Sequence, residues 1–404
     1  MNKYFGLLIP LVLILSSACA GNTPSPTLAS NTLSPTLASN APSPTPAGSS
    51  PWLEEEVTFS FGPNQLYGIL TLPTESGPFP AIVIVSGSGE LWTGDRAGAD
   101  ARYHVDHARQ MVLDGFAVLR YDPVGVGRST GERSFESLDG RTEEAAAALH
   151  YLQSRPDIRR DRVGLWADSQ GAWVIAMAAA AFPQDVAFLI SVSGSGVSVA
   201  EQQVYSIQAQ SQAAGMSEPD VARAILFGRL LIDWQLTDPI YRQVNEADAR
   251  ALGNGPWTRF LTLVYEPGEI TPAEGLEQGI EILKSVQGEP WAKFLYLREL
   301  YLPQLESIPP EQVAAVKAMA GQSLLEDPEE SLTRVRCPVL AFFGEDDLLQ
   351  PTEKSAVLYE QYLTQAGNDN YRIVVIPDVG HSIGLSTPGY REALADWLGY
   401  LYAE

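Results

Sequence analysis

Three residues in this chain could together perform nucleophilic catalysis, and each follows an apolar run. Ser169 lies in Val163-Gly164-Leu165-Trp166-Ala167-Asp168-Ser169-Gln170-Gly171-Ala172, where an apolar strand runs straight into an Ala-rich helix. Asp347 lies in Phe343-Gly344-Glu345-Asp346-Asp347-Leu348, and His381 in Val379-Gly380-His381-Ser382. A serine hydroxyl is a weak nucleophile at neutral pH. It needs exposure, an adjacent base and donors placed where an oxyanion will form. A tight strand-to-helix turn would lift the Ser169 hydroxyl above a sheet and aim the Gln170 N–H, at the positive end of the helix, at the substrate oxygen. Such a turn needs small residues on both sides, here Ala167 and Gly171. The usual G-x-S-x-G pattern has glycine at the first of these places. A buried serine opening a core helix is the alternative reading.

The base and acid follow from position. The chain has four histidines, and His381 alone falls directly after the last predicted strand, in a Gly-His pair. Spacing from Gly344 favours Asp347 as the acid, with the adjacent Asp346 as runner-up. Ser86-Gly87-Ser88-Gly89 follows the first predicted parallel strand and can present a second oxyanion donor, the N–H of Ser88. His104 and His107 stand one turn apart around Asp106. Without a further ligand they read as helix-surface or cap-contacting residues rather than a metal pair. His150 is assigned no role, and Cys337 precedes a core strand and reads as packing. Asp168 reads as a solvated residue of the turn whose charge would disfavour anionic acyl groups. Asp95 and Arg96 read as solvated loop residues.

The elements that must position these groups alternate. Residues 57–61 and 66–72 predict an antiparallel hairpin. Strands follow at 81–85, 117–121, 163–166 and 186–192, with helices at 101–113, at 141–153 and after Ser169. This pattern gives an α/β fold, a mostly parallel doubly wound sheet with helices on both faces. Residues 197–331 carry no short β-branched runs and predict helices, among them 221–234, 276–285 and 310–319. They read as a helical cap inserted between two strands, its many aromatics forming mainly the cap's own core. The sheet pattern resumes at 338–343 and 371–376, and a helix begins at 390. The expected core is therefore 52–196 with 332–404, and its functional loops leave the carboxyl ends of the strands.

Composition narrows the partners. At 404 residues and 45% hydrophobic, the chain can bury one large core or two modest ones. Its 49 acidic residues against 26 basic ones give a net charge of −23, which argues against nucleic acid and anionic membrane surfaces. The two cysteines, Cys19 and Cys337, allow no disulfide framework. Residues 1–19 read as an export signal, with Lys3 before an apolar stretch at 5–15. Leu15-Ser16-Ser17-Ala18-Cys19 resembles a bacterial lipoprotein signal in which Cys19 is lipidated, although Ser16 departs from the usual aliphatic residue. Cleavage near Ala18 or Ala20 is the alternative. Residues 20–51 are rich in Ser, Thr and Pro and read as a disordered tether.

The order Ser169, Asp347, His381, with the turn around the serine and the Gly-x-x-Asp loop, resembles the α/β-hydrolase family. Two further stretches support the likeness. Asp122-Pro123-Val124-Gly125-Val126-Gly127-Arg128-Ser129 is similar to the family's Asp-x-Arg-Gly-x-Gly-x-Ser loop, with Val124 in place of the Arg. Ser86-Gly87-Ser88-Gly89 is similar to its His-Gly loop, with Ser86 in place of the His. These departures suggest the branch resembling dienelactone hydrolases and acylaminoacyl peptidases. The resemblance implies a Ser169–His381–Asp347 triad, with oxyanion donors at Gln170 and Ser88 each worth about 2.7–4 kcal/mol. No cofactor or metal is needed. Ester hydrolysis of a small molecule is the first reading and amide or peptide hydrolysis the second. Thioester hydrolysis is third, and an inactive surface-tethered binding protein is the rival from another class. Membrane contact is expected only through the lipid anchor, and the sequence leaves the oligomeric state open.

Overall fold

The computed structural model describes residues 50–88, 99–131, 137–236, 238–244, 247 and 255–403. The expected export signal, Cys19, most of the tether, Gly89, Asp95 and Arg96 lie outside them.

Eight strands form one sheet in the order β1-β2-β4-β3-β5-β6-β7-β8. β1 (Trp52–Phe61) and β2 (Asn64–Pro73) make a hairpin, and β2 runs antiparallel to β4 (Ala117–Tyr121). Every other neighbour is parallel: β3 (Phe79–Val85), β5 (Ile158–Asp168), β6 (Leu189–Val192), β7 (Val339–Gly344) and β8 (Tyr371–Ile376). The apolar run of β3 is what a central parallel strand requires, because both of its faces are covered. Ala81, Val83 and Val85 enter one hydrophobic cluster, while Ile82 and Ile84 enter the other. α2 (Leu138–Gln153) and α3 (Gly171–Ala181) contribute Leu149 and Trp173 to the first. α1 (Ala99–Leu113) contributes Met111 to the second.

Between β6 and β7 the described part of the chain is mainly helical. α4 (Val199–Ala213), α5 (Glu218–Gln235), α6 (Pro256–Tyr265), α7 (Pro272–Val286), α8 (Leu302–Ser307), α9 (Val313–Leu325) and α10 (Pro328–Leu332) occupy it. Local signals set several starts. Ser198 and Ser217 cap α4 and α5, and Thr271 forms a reciprocal capping box with Glu274 before α7. Phe227 packs on Phe260 and on Trp291, each ring pair 5.2 Å apart, so these aromatics form the centre of the cap. Two bonds anchor the cap to the loop after β7. Gln202 donates to the Leu349 carbonyl at 2.6 Å, and the Tyr205 hydroxyl to that of Asp347 at 2.9 Å.

The sequence reading leaves 352–365 unassigned. The structure has α11 there (Thr352–Gln365), the crossover that parallel β7 and β8 require. α12 (Tyr390–Ala403) ends the described chain on the second face, where Leu394 and Trp397 join its cluster.

Glu326, between α9 and α10, is half-buried among acids. Burial first, then Asp139, Glu330 and Asp327, push its carboxyl up to about 7, against an ordinary 4.5. The folded state thus holds this proton longer than the unfolded state, and stability falls as pH rises from 4.5 to about 7. Glu326→Gln removes that loss. Its thermal midpoint is expected to exceed wild type at about pH 8 and to match it near pH 4.5, and melts of both proteins at the two pH values check this.

Candidate active site

The site is built on a strained turn. β5 ends at Asp168 and α3 begins at Gly171, so the chain reverses within two residues. Ser169 has φ 49°, the left-handed region that a non-glycine residue enters at a cost of order 1–3 kcal/mol. Its N–H donates to the Val192 carbonyl at 2.8 Å, which fixes the turn to β6. Gly171 has no room for a side chain, since a Cβ there would come within 2.6 Å of the Val85 and Ser86 carbonyl oxygens. Ala167, by contrast, is fully buried and paired with Val85 in the sheet, so its methyl is accommodated. The departure from G-x-S-x-G thus falls at the tolerant end of the turn.

The structure brings Ser169, His381 and Asp347 together. His381 Nε2 lies 3.0 Å from Ser169 Oγ, and Nδ1 lies 2.7 Å from Asp347 Oδ2. Asp347 is 2% exposed, and its other oxygen accepts the N–H groups of Leu349 at 2.7 Å and Gln350 at 3.0 Å. Oδ2 is thereby left for the imidazole. The neighbouring Asp346 is exposed, and its N–H donates to the Val379 carbonyl at 2.8 Å. His381 is held from behind by Ser193 Oγ, which donates to its carbonyl at 2.7 Å. Burial alone would lower the pKa of this imidazole, but the charge and hydrogen bond of Asp347, with a further contribution from Asp168, raise it above 6.5. An imidazole with a carboxylate on one nitrogen and a serine hydroxyl on the other can accept the serine proton and return it.

Gln170 occupies the N-cap position of α3, where helix N–H groups lack intrahelical acceptors. Opposite it runs the 86–88 loop. A Cβ on Gly87 would lie 3.1 Å from Ser169 Cβ, so this loop abuts Ser169. The Gly87 N–H is already engaged with Asp168 Oδ1 at 3.1 Å, and Ser88 follows it half-buried.

Two expectations fail here. Asp168 is not a solvated turn residue: its side chain is 23% exposed and accepts from Gly87 and from His104 Nε2 at 2.8 Å. Burial would raise its carboxyl, yet the His104 partner and the Gly87 bond keep it below the usual carboxylate range. His104 and His107 are not helix-surface residues either, being 5% and 1% exposed. The His107 ring packs tilted against Trp166 at 4.9 Å, and burial pushes its pKa down to about 4. His150 is half-exposed beside Asp185 at 3.2 Å. Burial pushes the Cys337 thiol up to about 12.

Sequence reasoning missed Arg141. Its guanidinium, buried in the first turn of α2, bonds the Ser86 and Gly87 carbonyls and the Gln170 side chain, joining the loop to the turn. A cation in a helix's first turn opposes the helix dipole. That misfit was the available signal.

A family profile described as X-Pro dipeptidyl-peptidase (S15 family) matches residues 64–259, a span that holds Ser169 but neither Asp347 nor His381. Esterase EstD of Thermotoga maritima is 34% identical over 106 residues, 24% of this chain and 23% of that protein. The chain thus spans about a quarter of that relative. An uncharacterized 31.7 kDa protein of Escherichia coli, from the traX-finO intergenic region, is 21% identical over 61% of this chain and 68% of that one. Among solved structures, Est1E of Butyrivibrio proteoclasticus with ferulic acid bound gives a TM-score of 0.47 at 16% identity, covering 86% of this chain and 100% of that one.

Removing Arg141 should free the loop without touching the reacting groups. Arg141→Met is expected to lower kcat about 10- to 100-fold with KM little changed, the usual consequence of small misplacement. Steady-state kinetics beside a thermal melt checks this, and unchanged kcat in a folded variant removes the positioning role. By their topology and the order of these loops, the described residues from Trp52 to Ala403 have the α/β-hydrolase fold.

Proposed function

We propose that the chain is a serine hydrolase that cleaves a carboxylic ester through an acyl-enzyme. The observation that carries this reading is the chain of contacts Ser169 Oγ to His381 at 3.0 Å and His381 to Asp347 at 2.7 Å. In the proposed reaction Ser169 Oγ attacks the acyl carbon while His381 Nε2 takes its proton. The oxyanion receives the N–H groups of Gln170 and Ser88. The imidazolium, stabilised by Asp347, passes the proton to the departing alkoxide, leaving an ester on Ser169. A water then adds to that ester with His381 again as base, and the acid leaves as Ser169 recovers its proton. The likeness of a 106-residue stretch to an esterase supports the choice of an ester. The match of 64–259 to a dipeptidyl-peptidase family favours a second reading, amide hydrolysis by the same residues.

In this reading Cys19 is lipidated and the 20–51 segment tethers the enzyme to a membrane. Metabolic labelling with palmitate in a bacterial host is expected to mark the wild type and not Cys19→Ala. Equal labelling removes the anchor.

A fluorophosphonate is expected to modify Ser169, as located by mass spectrometry, and labelling should vanish in His381→Ala. p-Nitrophenyl esters should turn over faster than p-nitroanilides. Faster anilide cleavage moves the enzyme to the peptidase side, and absence of an adduct in folded protein overturns the hydrolase reading.

A further inference from the structure

A cavity of about 400 Å³ lies within the cap, between the ends of α5 and α6, the start of α7 and α9. Ligand sites run from about 300 to 1,000 Å³, so this one suits a small molecule. No residue of the triad or of the 86–88 loop lines it. Its wall is chiefly apolar, with Leu236, Leu263, Ile270 and Val316.

The polar groups in this wall are unevenly matched. Arg242 packs over the Tyr265 ring at 4.4 Å and donates from Nη2 to the Val264 carbonyl at 3.0 Å, leaving Nε buried without a partner. Lys317 also lines the cavity. Burial first, and then the like charge of Arg242, hold its ammonium below the usual lysine range. Asp233, the one carboxylate among the described lining residues, is committed elsewhere. It accepts from the N–H groups of Gln243 and Val244 and from the Tyr265 hydroxyl, at 2.7–2.9 Å. Gln235 is 2% exposed and donates to the Leu231 carbonyl, which leaves its Oε1 buried with no donor. Two neighbouring cations and one orphaned acceptor in an apolar wall ask for a ligand with an anion, a hydrogen-bond donor and a hydrocarbon body.

We propose that this cavity binds a small apolar carboxylate bearing a hydroxyl or amide N–H. The carboxylate lies between Arg242 and Lys317, the donor meets Gln235 Oε1, and the hydrocarbon lies against Leu263 and Val316. This assignment is independent of the reaction proposed above, because its readout is binding alone.

Titration calorimetry of the whole protein with 3-hydroxyoctanoate tests it. Saturable binding is expected, weaker for octanoate, which lacks the donor, and weaker still for octan-1-ol, which lacks the anion. Lys317→Met should weaken the hydroxy acid about tenfold or more, as loss of a charged partner does. Gly275→Leu serves if that variant fails to fold. A Cβ there meets only Ile270 at 3.5 Å, an ordinary contact, so the new side chain enters the cavity from an unstrained helix position and should abolish binding. No binding at millimolar acid, octan-1-ol binding as tightly as the acid, or unchanged affinity in a folded variant overturns the proposal.

Discussion

The two-residue reversal at Ser169 is the constraint on which the rest of the molecule depends. A left-handed serine is unfavourable alone and persists because its surroundings leave it no other conformation. The Ser169 N–H is tied to β6, while Gly171 presses on the carbonyls at the end of β3. β3 and β6 flank β5 in the parallel sheet, so the central strands act as the jig that holds Ser169. Any side chain at 171 would push α3 off that jig.

Around the turn, contacts distant in sequence replace local ones. Asp347 reaches His381 from the loop after β7, and that loop is tied to the cap through Tyr205 and Gln202. The cap is therefore coupled directly to the loop that carries Asp347. A displacement of α4 would be felt at the carbonyls of Asp347 and Leu349. Both carbonyls lie within two residues of the Asp347 side chain.

Local chemistry made much of this legible. The apolar run of β3, the small residues beside Ser169, the Gly344-to-Asp347 spacing and the Gly380-His381 pair each state their structural role within a few residues. Arg141 and His104 could not be read that way. Arg141 meets partners 55 and 29 positions away, and His104 meets one 64 positions away. Helical periodicity cannot distinguish a polar residue facing water from one facing a buried carboxylate. The α11 helix was missed for a related reason. Its buried face is Ser355, Tyr359, Tyr362 and Leu363, mostly polar-tipped residues rather than an aliphatic stripe.

The 86–88 loop shows what the distant contacts accomplish together. Arg141 takes the carbonyls of Ser86 and Gly87, whereas Asp168 takes the Gly87 N–H. The buried cation and the carboxylate thus hold the Ser86–Gly87 peptide group at both ends, and the cation also takes the carbonyl of the Gly87–Ser88 peptide, which fixes how those dipoles point. The next N–H along belongs to Ser88, the donor assigned to the oxyanion in the proposed reaction. Asp168 alone would oppose negative charge developing beside Ser169, although its field also favours the imidazolium of His381. Its bonds to His104 and Gly87, and the opposite charge of Arg141 on the same loop, blunt the first effect. The second survives because His381 is itself the group that becomes positive in the proposed reaction. A carboxylate next to Ser169 is therefore compatible with the proposed reaction, provided that the acyl group brings no negative charge of its own.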